Sequence, residues 1–285
     1  MYLIQIGLTG WGDHPDLYVS TAREKLQDYS AHFPVVELDA AFYAIQPIKN
    51  SLKWIKETPD NFQFVVKTYQ GITGHLRGDL PFDTSEEMFE LYRQSIMPFK
   101  EAGKLSMVLA QFPPWFQCNK ESVQYIRKVR EELKDFEVVI EFRHQSWYSP
   151  EYKASTLQFL KENHFHHSIC DEPQSGDGSI PLVPIATSNK VLVRLHGRNT
   201  YGWVNPGNNV KWRDVRYLYD YNKEELTSLK NVCEHLKKQA KEIVVLFNNN
   251  SGGHAANNAK TFQRMLGLDF QGLAPKQLDL FEGDF

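Results

Sequence analysis

Eight short apolar runs rich in β-branched residues recur along this chain, and most are separated by segments with helical spacing. Alternation of this kind favours a parallel sheet with helices packed outside it, and eight strands point to one closed (β/α)8 barrel. An open doubly wound sheet is the alternative, but no G-x-G-x-x-G motif follows the first run. The predicted strands are residues 3–9, 35–39, 62–67, 105–111, 137–143, 165–170, 190–196 and 243–248. The predicted helices are residues 21–32, 48–57, 85–102, 120–133, 149–163, 223–241 and 255–266.

The length of 285 residues suits a single barrel, which we assign to residues 1–267, with residues 268–285 as an exposed tail. A net charge of −3 gives no general basic field, so direct DNA binding has no basis in the composition. The N-terminus lacks a signal peptide pattern and no apolar run is long enough to span a membrane. Three dispersed cysteines form no zinc pattern. We therefore expect a cytoplasmic protein without a membrane partner.

Polar residues end most of the predicted strands, and in a barrel these ends converge on one mouth. Such charges must pair with one another when buried, for example Glu141 with Arg143, Arg194 or Lys67. The pairs are either a structural network or a site that shifts pKa values and orients a ligand. If the pairs form a ligand site, the acid–base candidates are Glu141, His196, Glu37 and Asp39. The substrate-binding candidates are Lys67, Gln111, Arg143, Arg194, Asn249, Gly252, Gly253, Tyr43 and Trp11.

The loop after the eighth strand carries Gly252 and Gly253 directly before the last helix. Two glycines allow close backbone approach, and a helix N-terminus attracts anions, so this loop is either a phosphate site or an ordinary tight turn. A metal site built from acidic residues and His196 is an alternative, but the cations nearby disfavour it. We predict no metal ligands, and the residues indicate no particular cofactor. The aromatic residues of 197–222 either stack on a ligand or cover the core.

Several short motifs together resemble the YecE-like family, domain of unknown function 72, over residues 3–267. They are Thr9-Gly10-Trp11, Phe42-Tyr43, Trp54 with Thr58-Pro59 and Phe62 to Lys67, Gln111-Phe112-Pro113-Pro114, Glu141-Phe142-Arg143-His144 with Ser146-Trp147, Arg194 with His196-Gly197, and Phe247-Asn248-Asn249. The resemblance implies a TIM-barrel-like fold and supplies no reaction. Residues 12–14 depart from the pattern of many relatives.

The tail contains Gln277, Leu278, Asp279, Leu280 and Phe281, which resemble the pentapeptide that binds the sliding clamp of bacterial DNA polymerase III. Leu280 and Phe281 would fill apolar pockets and Gln277 would make a polar contact. The alternative is that these apolar residues dock on their own barrel.

Three functions follow as hypotheses. The first is an enzyme, a hydrolase or lyase, that acts on a phosphate-bearing substrate (nucleotide, DNA or sugar phosphate) at the barrel mouth and is recruited to the clamp. The second is a non-catalytic clamp adaptor with a structural mouth. The third is a metal-dependent sugar isomerase or lyase, which rests on fold analogy alone.

Overall fold

The computed structural model describes residues 3–18, 25–204, 211 and 215–275. Eight strands form its sheet. They are β1 (Leu3–Thr9), β2 (Val35–Leu38), β3 (Gln63–Lys67), β4 (Leu105–Gln111), β5 (Val138–Glu141), β6 (His166–Asp171), β7 (Lys190–Leu195) and β8 (Glu242–Phe247).

Helices lie between most of the strands and cover the outside of the sheet, whereas β6 is followed directly by β7. They are α1 (Lys25–Ser30), α2 (Ala40–Tyr43), α3 (Ile48–Lys56), α4 (Ser85–Glu101), α5 (Lys120–Glu132), α6 (Lys153–Glu162), α7 (Thr200–Trp203), α8 (Lys223–Leu236) and α9 (His254–Met265). Short 3-10 turns occupy Pro15–Leu17 and Gln145–Tyr148.

All eight strands are parallel, and the sheet closes because β1 pairs with both β2 and β8. The register of the closing pair runs from Leu3 opposite Glu242 to Leu8 opposite Phe247. This closure confirms the predicted (β/α)8 barrel and excludes the open doubly wound sheet. The fifth strand is shorter than predicted because its ladder with β4 ends at Gln111 opposite Glu141.

Side chains alternate between the barrel interior and the layer beneath the helices, as the two-residue period of a strand requires. The interior holds a small apolar cluster, whereas the larger core lies between the sheet and the helices. Gly7 faces the narrow interior, where a Cβ atom at this position would lie 2.0 Å from the Val35 carbonyl oxygen. The interior cluster consists of Val35, Val65, Met107, Leu109, Val139, Leu192, Val244 and Leu246.

The chain that follows α9 runs across the N-terminal end of the barrel, opposite the mouth. Leu268 and Phe270 pack against the core, and the Asn61 side chain donates to the Gln271 carbonyl at 2.9 Å. The Ala274 N–H donates to the Ser30 carbonyl at 3.1 Å. Among the helices described, none combines the length and the apolar character needed to cross a membrane.

Candidate active site at the carboxyl ends of the strands

Arg194 projects inward from β7 and crosses the barrel to bind carboxylates on two other strands. Its Nε and Nη2 atoms donate to the two oxygens of Glu37 at 2.9 and 2.7 Å. Its Nη1 atom donates to both oxygens of Glu141 at 3.0 and 2.8 Å and to Gln111 Oε1 at 3.3 Å. Because Arg194, Glu37 and Glu141 are all buried, this network closes the barrel interior beneath the mouth.

The two carboxylates of this network differ in their electrostatic surroundings. Burial raises the pKa of Glu37, and the attraction of Arg194 offsets only part of that effect. Burial would also raise the pKa of Glu141, but Arg194 and Arg143 hold that pKa well below its usual range. Glu141 is therefore an ionised structural anchor, which makes it a poor general acid or base near neutral pH.

Arg143 extends the network from Glu141 to His196. Its Nη1 atom donates to Glu141 Oε1 at 3.0 Å and to His196 Nε2 at 3.1 Å. The side-chain amide of Asn248 lies 2.8 Å from the other ring nitrogen, Nδ1. Burial and the neighbouring Arg143 lower the pKa of His196 well below its ordinary value, so the ring is held neutral.

A cavity of about 980 Å³ opens above this network at the carboxyl ends of the strands. Arg194, Gln111 and Asn248 form part of its floor, and residues of the βα loops form its walls. Its volume lies at the upper end of the range of small-molecule sites. The other lining residues are Thr9, Gly10, Asp13, Pro15, Asp39, Tyr43, Lys67, Lys211, Tyr217, Asn250, Ser251, Gly252 and Gly253.

Asp39 and Lys67 form a carboxylate–ammonium pair that faces this cavity. Lys67 Nζ lies 3.2 Å from Asp39 Oδ1, with side-chain exposures of 11% and 30%. The same ammonium group lies 4.4 Å above the ring of Phe42, which fixes its position. Unlike Glu37 and Glu141, this pair can touch a ligand directly.

The loop before α9 contributes backbone rather than side chains to the cavity wall. Gly252 and Gly253 have φ values of 78° and 79°, which L side chains rarely adopt. Gly253 is the N-cap of α9, and no side chain caps this helix. The twelve-residue helix α9 therefore begins next to the cavity wall, and the positive end of its dipole favours an anion there.

The remaining predicted site residues occupy different positions. Tyr43 is 59% exposed at the cavity rim, whereas the Trp11 ring packs edge-on against Trp54 at 5.6 Å. Asn249 is buried outside the barrel interior and donates to the Tyr219 carbonyl at 2.8 Å and to Asn258 Oδ1 at 2.7 Å. The tail pentapeptide 277–281 lies outside the described residues.

Thr9, Tyr217, Asn248 and Glu172 belong to the site but were absent from the predicted set. Thr9, Asn248 and Glu172 share the inward register of their strands, so strict two-residue alternation would have found them. Thr9 lines the cavity, and its buried Oγ1 atom has no hydrogen-bond partner in the part of the chain that the structure describes. Tyr217 lies in the long segment after β7, where no strand pattern in the sequence predicts which way a side chain points.

Glu141, Cys170 and His196 place potential ligand atoms within 4.8 Å of one another, so we tested their fit to a metal ion. Both oxygens of Glu141 accept from Arg194, and Arg143 Nη1 lies against both Glu141 and His196. Burial and the nearby carboxylates raise the pKa of the Cys170 thiol well above its usual value. This donor set suits the guanidinium groups already present better than a metal ion.

The fold and site together define a (β/α)8 barrel whose interior is closed by buried ion pairs beneath a polar mouth cavity. The model of the family described as "Protein of unknown function DUF72" matches residues 5–279. The chain therefore belongs to the DUF72 family, as its motifs predicted.

Relatives and solved structures agree with this assignment. The UPF0759 protein YunF of Bacillus subtilis (strain 168) is 54% identical over 282 residues, which cover 98% of this chain and 100% of that protein. A DUF72 family crystal structure from Enterococcus faecalis V583 matches with a TM-score of 0.91 and 41% identity, covering 97% of this chain and 100% of that one. A DUF72 family protein from Thermotoga maritima MSB8 matches with a TM-score of 0.78 and 31% identity, covering 94% of this chain and 100% of that one.

Proposed function

We propose that this protein is an enzyme that acts on a phosphate-bearing small molecule in the mouth cavity. One observation carries the proposal: the buried, partnerless hydroxyl group of Thr9 lies in the same cavity as the Gly252–Gly253 helix start and the Lys67 ammonium group. A hydroxyl donor, uncapped helix N–H groups and an ammonium group are the donors that bind phosphate in proteins. The cavity itself favours a ligand site over a purely structural mouth.

The same geometry assigns roles to the charged residues. Asp39 and Lys67 face the cavity and would transfer protons to or from the bound ligand in a hydrolase or lyase reaction. Glu37 and Glu141 lie beneath the cavity and hold Arg194, which forms part of its floor, so these three residues would act as positioning residues.

Binding of inorganic phosphate and of simple phosphate monoesters, measured by titration calorimetry, tests the proposal. Thr9→Val should weaken binding about tenfold, because one hydrogen bond to a charged group is lost. Thr68→Val is the matched control, since Thr68 Oγ1 is also buried without a partner but Thr68 lies outside the cavity lining. Equal affinities for the wild type and Thr9→Val, or no phosphate binding, would contradict the proposal.

Turnover is tested separately with a panel of phosphate monoesters. Asp39→Asn should retain phosphate binding but lose product formation, because the amide cannot exchange a proton. An Asp39→Asn variant as active as the wild type would exclude Asp39 from the chemistry.

We also propose that the tail recruits the protein to a bacterial sliding clamp. The support is the sequence of residues 277–281 together with the anchoring of Ala274 to Ser30 at the N-terminal end of the barrel. A partner held there would leave the mouth open. In a calorimetric titration with purified clamp, Phe281→Ala should abolish binding and Phe285→Ala, outside the pentapeptide, should not. Equal binding by both variants would refute recruitment through this peptide.

A further inference from the structure

Arg143 is only partly satisfied by the network that it joins. Its Nη1 atom donates to Glu141 and His196 and lies 3.3 Å from Glu172 Oε2, with which it forms an ion pair. The Nε and Nη2 atoms are buried and have no hydrogen-bond partner among the described residues, and Arg143 is 2% exposed. These two atoms carry the parallel N–H groups of one guanidinium edge, which is the edge that grips carboxylate or phosphate oxygens in pairs.

Glu172 presents a second unsatisfied atom beside the same guanidinium group. It follows β6 in the inward register of Ser168 and Cys170, and it is buried. Its Oε1 atom accepts from the Ile180 N–H at 2.7 Å, whereas its Oε2 atom lies in the ion pair with Arg143 and has no hydrogen-bond partner within the described part of the chain. A proton on this carboxyl group would therefore sit on Oε2.

We propose that the Nε–Nη2 edge of Arg143 and the Oε2 atom of Glu172 form a second oxyanion site beside the mouth cavity. The site takes a phosphate or carboxylate group, with two N–H donors from Arg143 and one O–H donor from protonated Glu172. This inference deepens the proposed function, since it gives the substrate of the same mouth a second anionic group.

Access to this site passes two aromatic side chains. The Trp203 ring covers the Arg143 guanidinium at 4.7 Å, and the Tyr217 ring centroid lies 6.3 Å from that of Trp203. Because Tyr217 also lines the mouth cavity, a rotation of these two side chains would join the cavity to the Arg143 edge.

Protonation of Glu172 is within reach of neutral pH. Burial raises the pKa of Glu172 to about 7, despite the opposing effect of Arg143. Burial also keeps the Cys170 and Tyr148 side chains neutral by raising their pKa values well above the ordinary ones. Arginine stays charged over this range. The titratable and charged groups that face Glu172 are Arg143, Glu141, Arg216, Cys170 and Tyr148.

The test uses selenate, a tetrahedral oxyanion that is located by its anomalous scattering, in crystals of the full chain at pH 6 and pH 8. We expect a selenium peak at the Nε–Nη2 edge of Arg143 at pH 6. Selenate affinity at this site should fall about tenfold by pH 8, because Glu172 then loses its proton. Glu172→Gln should bind equally at both pH values, since its amide N–H replaces the carboxyl proton. Glu242→Gln, at the opposite end of the barrel, should behave as the wild type.

Arg143→Lys removes the paired N–H edge and should abolish the peak; should it fold poorly, Glu172→Gln carries the test alone. A water in place of selenate at pH 6, or a pH dependence that Glu172→Gln leaves unchanged, would overturn the inference. A peak only beside Thr9 and Gly253 would refute this second site and retain the proposed function. A peak only at Arg143 would support the second site and count against the phosphate position in the proposed function.

Discussion

Replacing Arg194 with methionine would leave two carboxylates in the barrel interior without their main partner. The change removes five N–H···O contacts of 2.7 to 3.3 Å to Glu37, Glu141 and Gln111. Both glutamates are 0% exposed, so water cannot replace the lost donors. Removal of one partner from a buried ion pair costs about 3–5 kcal/mol, which is a large part of the stability of a typical protein.

Urea denaturation at several pH values tests this prediction. Without Arg194, the pKa of Glu37, which burial already raises in the wild type, rises further, and the pKa of Glu141 rises above its unfolded value. The folded variant then binds more protons than the unfolded chain, so its stability falls as pH rises. The loss relative to the wild type should therefore be greater at pH 8 than at pH 5.

Two further variants test whether the buried charges cause the loss of stability. Arg93→Met removes a more exposed arginine with two glutamate partners and should cost at most about 1 kcal/mol. Glu37→Gln and Glu141→Gln, added to Arg194→Met, should recover about half of the loss because they remove the buried charges. A loss near that of Arg93→Met, or a loss independent of pH, would refute the view that charge burial dominates.

Two other changes have defined outcomes by the same denaturation assay. Gly7→Ala should lower the free energy of unfolding by about 3 kcal/mol, because its Cβ atom would lie 2.0 Å from the Val35 carbonyl oxygen. Gly12→Ala is the control and should leave the stability unchanged, because the space around Gly12 is open. Asn222→Ala should cost about 1 kcal/mol, because it removes the capping box of α8, and an unchanged midpoint would show that this cap adds nothing.

The local sequence determined the elements and their order. Alternating apolar runs and helical spacing were enough to predict eight strands, and β1, β4 and most helix starts agree with the structure to within a residue. This agreement has a physical cause. The periods of strands and helices depend on consecutive residues, and N-cap residues such as Asn119 and Thr84 directly precede their helices.

The composition of the mouth was also predictable, because parallel strands end on one side of a barrel. The sequence placed Glu37, Glu141, Arg143 and Arg194 there, and the structure joins them in one network. The sequence could not show which of these side chains are accessible from the cavity. Asp39, Lys67 and Arg194 line the cavity, whereas Glu37, Glu141 and Arg143 do not, and that difference depends on how far each side chain reaches across the barrel.

The sequence by itself therefore determined the barrel, its parallel strands and the polar character of its mouth, because these follow from local periods and residue types. Only the tertiary structure decided which partner each charge takes. Arg194 and Glu37 are separated by 157 positions, and Arg143 and His196 by 53. It also decided which buried groups are left without partners, at Thr9, Arg143 and Glu172, because hydrogen-bond satisfaction depends on atoms brought together from distant strands.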